Sequence, residues 1–142
     1  METRAEVATI VARYLEALEQ FDLEAAADCF TENLFYSHPP YSAEDNGGLR
    51  HEVRGRDALI GLFEKRGRRP VVHQIRSSAT DGSVAFVEGV FTVNGAVGGS
   101  FVSVVELAGD GRIASYAAYA SVPAVGAALV PDTHAAAHPG QT

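Results

Sequence analysis

Asp81-Gly82, Asn94-Gly95 and Asp110-Gly111 decide what the second half of this chain can become. A glycine after Asp or Asn tolerates the positive φ of a tight hairpin connection, so each pair folds one strand back on the next. From Pro70 onward the spacing predicts four strands: Val71 to Ala79, Ser83 to Val93, Ser100 to Leu107 and Arg112 to Val122. Several are apolar on both faces. Val87 and Phe91 alternate with Val84, Phe86 and Val90, while Phe101 and Val105 alternate with Val102 and Val104. A sheet of that kind is covered on both sides. Helices can supply one cover. The outer face is expected to meet a second copy of the chain, giving a homodimer, because an exposed apolar sheet face drives association.

The helices come first in the chain. Val7, Ile10, Val11, Tyr14, Leu15 and Leu18 recur on one face of a 3.6-residue helix, and Thr3 with Glu6 reads as its capping box. Asp22 can cap a second helix carrying Leu23, Ala26, Ala27 and Phe30. The period then changes: Asn33 to His38 reads as extended, with Leu34, Tyr36 and His38 on one face. A polar loop with Asn46-Gly47-Gly48 as its turn leads to a third helix over Asp57 to Arg66, stopped by Gly67. Lys65, Arg66, Arg68 and Arg69 are read as cations favoured by the dipole at that helix's C-terminus, rather than as an anion site.

A length of 142 residues implies one domain with a sizeable core, expected over residues 1–122. A net charge of −7 argues against a nucleic-acid footprint. Cys29 is alone, so no disulfide framework is available. The opening METRAEV has no apolar signal core and no run is long enough to cross a bilayer, so the expected setting is the cytoplasm, with no membrane partner. From Pro123 the chain is rich in alanine and proline and reads as a loose tail. His134 and His138 share a helical spacing there, but Pro131 and Pro139 flank them and no third ligand is near, so no metal is expected. No phosphate-binding or dinucleotide motif occurs and no cofactor is expected; Gly95, Gly98 and Gly99 read as turn glycines.

In order and content the chain resembles the ketosteroid isomerase-like group of the NTF2-like superfamily, which also holds the SnoaL-type polyketide cyclases. The resemblance is carried by RYLEALEQFDLEAAADCFTENL, by GRDALIGLF and by GDGRIASY, and spans roughly residues 5–122. It implies an α+β fold: three N-terminal helices packed on a curved antiparallel sheet, with a cone-shaped pocket between them. Residue by residue it places Tyr14 at the isomerase's oxyanion-donor tyrosine, His38 at its general-base aspartate, Ser103 at its protonated aspartate and Phe63 at a second pocket tyrosine. Two of those three catalytic positions are changed, which separates this chain from ordinary ketosteroid isomerases. The acids of limonene epoxide hydrolase have no clear match.

The candidate catalytic residues are thus His38, Tyr14, Ser103 and His73. His38 can exchange a proton near neutral pH, or be a strand-end histidine bonded to a carbonyl. Tyr14 can donate to an oxyanion, or be a satisfied core tyrosine. His73 shares strand parity with Val71 and Ile75, which puts it on the pocket side or at a sheet edge; scytalone dehydratase, in the same superfamily, is similar in using paired histidines with tyrosines. Ser103 can donate to substrate or bond its own backbone. Tyr36, Phe63, Val87, Phe101 and Tyr116 are the expected substrate contacts. Glu44, Asp45 and His51 could form a lid, and Glu88 and Glu106 are expected on the outer face or rim. The implied activity is cofactor-independent acid–base chemistry (isomerisation, cyclisation or dehydration) on a small apolar carbonyl compound. A non-catalytic binding or dimerisation module is the alternative.

Overall fold

The computed structural model describes residues 4–129. Helix α1 covers Arg4–Glu19, α2 Leu23–Asp28 and α3 Arg56–Arg66. The strands are β1 (Phe30–His38), β2 (His51–Arg54), β3 (Val71–Asp81), β4 (Val84–Val93), β5 (Ala96–Leu107) and β6 (Ile113–Ser121). They form one curved, unclosed sheet in the order β2-β1-β6-β5-β4-β3. The sheet is mixed: β1 runs parallel to β6, and the other pairings are antiparallel. Val7, Val11, Tyr14, Leu15 and Leu18 are all buried, so the apolar face of α1 is the face that packs, against β3, β4 and α2. Asp22 caps α2 through its side chain, accepting the Ala25 N–H at 3.1 Å. Gly67 ends α3 with a φ of 75°, a conformation costly for any residue with a Cβ.

Several boundaries differ from the sequence reading. Phe30 opens β1 rather than closing α2, because its ring is wanted in the core between Tyr14 and Tyr116. The polar loop before α3 contains a strand, β2, whose four residues pair with Phe35–His38. β5 starts at Ala96, so Gly98 and Gly99 are strand residues, not turn residues. Their reason is space: a Cβ on Gly99 would lie 2.7 Å from the Phe91 ring and 2.4 Å from the Ser121 carbonyl oxygen. The Thr3 cap and the His134–His138 pair lie outside the described residues, as does the tail beyond residue 129.

The curvature has a local cause. The β3–β4 register slips between Ile75 and Ser77, opposite Gly89, where a Cβ would come within 2.0 Å of the Gln74 carbonyl oxygen. A bulge facing a glycine bends and twists the sheet at that point. The inward faces of β4, β5 and β6 then wrap around the helices, burying Ala85, Val87, Phe101, Val105 and Tyr116.

Candidate functional site

The bend leaves a cavity of about 410 Å³ between α1, the end of β1 and the inner face of β3–β6. Its apolar wall comes from Leu15, Leu18, Val71, Phe91, Phe101 and Ala118. Its polar atoms come from five tyrosines, two histidines, Ser103 and two arginines, with no Asp or Glu among the described lining residues.

Tyr14 and Tyr36 share a hydrogen bond of 2.8 Å between hydroxyls, fully buried. Burial pushes both phenols well above their ordinary pKa; Tyr36 raises Tyr14 further, whereas the bond from Tyr14 pulls Tyr36 the other way. They are therefore neutral donors at any physiological pH. Tyr116 accepts a 2.7 Å bond from the Ser103 hydroxyl. Burial pushes Tyr116 up to about 12, with the Ser103 bond pulling the other way. Ser103 has a single O–H and uses it here, so the hydroxyl with a proton left for a ligand is that of Tyr116. The expected direct donor thus stands behind another. Tyr14 sits at the centre of the ring cluster, edge-on to Phe30 at 5.0 Å and to Tyr116 at 5.2 Å. Such contacts contribute roughly 0.5–1.5 kcal/mol each and hold the hydroxyls in place.

His38 ends β1, its ring 6.1 Å from Tyr36 and 4.6 Å from Tyr41. Nδ1 lies 2.7 Å from the Pro39 carbonyl oxygen. A carbonyl only accepts, so Nδ1 carries the proton and Nε2 keeps its lone pair. Burial lowers the His38 pKa to about 4, and Arg66, Arg69 and Arg50 add to the effect. A ring held near that value is neutral at pH 7.

His73 also lines the cavity, with Phe101 edge-on at 5.4 Å. Its backbone N–H and its Nδ1 both reach Glu19 Oε2, at 2.7 and 2.9 Å. A carboxylate at a helix C-terminus is disfavoured by the dipole, and here two donors hold it there. The result is a histidine oriented by a carboxylate, with Nε2 left to meet a ligand.

Other expected contacts divide. Tyr36, Phe101 and Tyr116 line the cavity. Phe63 and Val87 do not: both are completely buried core residues, Phe63 stacked 6.2 Å from Tyr14. The expected lid residues Glu44, Asp45 and His51 are absent from the lining. Asp45 instead accepts from the Tyr41 N–H at 2.7 Å and pairs with His51 at 2.6 Å, bracing the loop that brings Tyr41 to the cavity. Glu88 pairs with Arg76 across the outer face. The sequence reading missed Glu19, Tyr41, Arg66 and Arg69. Tyr41 follows a Pro-Pro pair that stiffens the exit from β1, which is the one signal that could have found it. Among the described residues no three His, Cys, Asp or Glu side chains gather as a metal site, and no helix is long and apolar enough to cross a membrane.

A curved mixed sheet wrapped around three helices, with a cavity of buried phenols and histidines at its centre, defines an NTF2-like domain. The model of the SnoaL-like domain matches residues 11–116, and the chain belongs to that family. No curated protein matches it. Among solved structures it is similar to an NTF2-like protein of unknown function from Burkholderia xenovorans LB400 (18% identity, 94% of this chain and 93% of that one, TM-score 0.62). A SnoaL-like protein of unknown function from Burkholderia thailandensis E264 superposes at TM-score 0.67 with 13% identity, over 85% of this chain and 99% of that one. An LEH-like epoxide hydrolase from M. tuberculosis is 21% identical over 83% of this chain and 84% of that one, at TM-score 0.61. Identities this low speak for the fold alone.

Proposed function

We propose that this protein is a cofactor-independent acid–base enzyme acting on a small, mostly apolar carbonyl compound. The observation that carries the reading is the pinning of both cavity histidines through Nδ1, His38 to a carbonyl and His73 to Glu19, beside phenols held neutral. In the step proposed, a histidine Nε2 removes the proton from carbon next to the substrate carbonyl. The C–H electron pair moves into the new C=C bond and the carbonyl oxygen becomes an oxyanion. Tyr116 and the free proton of the Tyr14–Tyr36 pair donate to that oxygen. His38 is the first choice of base, and the proton it takes onto Nε2 is the one it returns at the far carbon or to a leaving hydroxide; His73 is the second candidate for the same exchange.

2-Tetralone is a fitting probe, since its α-protons exchange with D2O at a rate NMR can follow. The wild-type protein should accelerate exchange, and His38→Gln should lose about 100-fold while keeping its fold. No acceleration over buffer by the wild-type protein would remove the catalytic reading.

One observation favours a second reading. A histidine with a pKa near 4 is a weak base, as a purely ligand-binding cavity would tolerate. Either way we place a homodimer on the outer sheet face, where Phe86, Val102 and Tyr119 are exposed. Phe86→Glu should then yield monomers by sedimentation, and a wild-type protein that is monomeric at micromolar concentration would contradict the dimer.

A further inference from the structure

The chain is acidic, with 18 Asp and Glu against 11 Lys and Arg, yet its cavity has the opposite character. Arg66, the last residue of α3, and Arg69, just beyond it, both line the cavity and both lie against the Tyr41 ring, 5.5 and 5.4 Å from its centroid. Arg66 gives one N–H to the Gly67 carbonyl at 3.3 Å, as a cation at a helix end should, but its remaining donors and those of Arg69 meet no carboxylate among the described residues. The nearby carboxylate, Asp45, has its Oδ2 occupied by the Tyr41 N–H and His51. The like charges are felt: Arg66 depresses the pKa of Arg69, after burial, and both depress that of His38. A third group is left over. The Tyr41 hydroxyl is buried with no hydrogen-bond partner among the described residues, although Tyr41 lines the same cavity. Two half-buried guanidiniums and an orphaned phenol, in a cavity without a carboxylate, lack an anion.

We propose that the ligand enters with a carboxylate held by Arg66, Arg69 and the Tyr41 hydroxyl, its apolar body lying along Leu18, Phe91 and Phe101. A planar carboxylate matches the fork of a guanidinium, and the low-dielectric wall strengthens the pairing. The substrate class is thereby narrowed to apolar acids that also carry a carbonyl. This narrowing rests on the cavity being the ligand site, as in the reading above, but not on its being catalytic.

The test uses 2-naphthoate and 2-naphthamide, which share shape and differ in charge, titrated into the full-length protein by calorimetry. The acid should bind about 10-fold tighter or more at low salt, and the preference should shrink as salt rises from about 20 to about 500 mM. Arg66→Gln/Arg69→Gln should bring the two probes within about 2-fold, while Tyr41→Phe should weaken naphthoate and leave naphthamide unchanged. Arg69→Gln alone guards against a folding defect, because that side chain makes no hydrogen bond within the described fold. Equal affinity of the two probes for the wild-type protein, or a preference that survives the double substitution, overturns the anion clamp and leaves the catalytic reading to the tetralone assay. Failure of both probes to bind overturns the clamp and the ligand cavity together.

Discussion

Tyr36 and Tyr116 stack across the parallel β1–β6 pair, their ring planes 11° apart and their centroids separated by 5.5 Å. Each hydroxyl then bonds a different partner, Tyr14 for the first and Ser103 for the second. Two donor pairs are thus held side by side at the base of one cavity, and their energetics can be read separately.

The Tyr14–Tyr36 pair should behave asymmetrically. Tyr36→Phe leaves the Tyr14 hydroxyl buried without its partner and should destabilise by about 1–3 kcal/mol. Tyr14→Phe/Tyr36→Phe removes both polar groups and should be no less stable than either single variant. Urea unfolding of the four proteins measures the coupling. Losses that simply add would show that the hydroxyls do not depend on each other.

His38 should make stability fall with acid. Its folded pKa of about 4 lies below the unfolded value, so between those values the unfolded chain binds more protons and unfolding gains on folding as pH drops. The stability is fully present above the unfolded pKa near ~6.5 and is lost as pH falls through that window to about 4. Roughly 3 kcal/mol is at stake. His38→Gln should flatten the difference in unfolding free energy between about pH 7 and about pH 4.5 relative to wild type. An unchanged slope would mean that His38 is well solvated.

Glu19 Oε2 holds His73 by its backbone N–H and its Nδ1, so in the proposed reaction it would act by positioning that ring. Glu19→Ala should release the His73 tautomer, visible in the ring 15N shifts, and slow tetralone exchange by about 10-fold with little change in fold. Glu19→Gln keeps an acceptor and should recover part of both signals. A His73 tautomer unmoved by Glu19→Ala would leave the carboxylate a purely structural role.

Two glycines should respond with opposite sign. Gly89→Ala forces a Cβ into the Gln74 backbone at the β3 bulge and should destabilise by about 2–4 kcal/mol. Gly61 is exposed within α3 and a Cβ there meets nothing within 4 Å, so Gly61→Ala should stabilise by about 0.5–1 kcal/mol. Thermal unfolding measures both.

The hairpins were legible because their code is local: a dipeptide such as Asn94-Gly95 carries its own geometry. α1 was legible because its face repeats at a helical period. β2 was not, because His51–Arg54 is a strand only by virtue of its partner in β1. Gly98 and Gly99 misled because a glycine that yields space to Phe91 looks the same in sequence as one that turns the chain. The cavity was half legible. Tyr14, His38, His73, Ser103 and Tyr116 could be placed by parity and resemblance, but Glu19 meets His73 across 54 positions and no spacing rule reaches that far. Arg66 and Arg69 read as cations at a helix end, and nothing local in the sequence shows that both also line the cavity beside Tyr41.

The parallel pairing of β1 with β6 also sets an order of assembly. Tyr14 and Tyr36 leave the ribosome early, while their neighbour Tyr116 is among the last strand residues to be made. Until β6 emerges, β1 has only the short β2 beside it and the phenol cluster has one wall missing. A nascent chain stalled before Ile113 can already pack α1 on β3 and β4 but has no β6 to join β1 to that sheet, so the ligand site is closed only once β6 has been made.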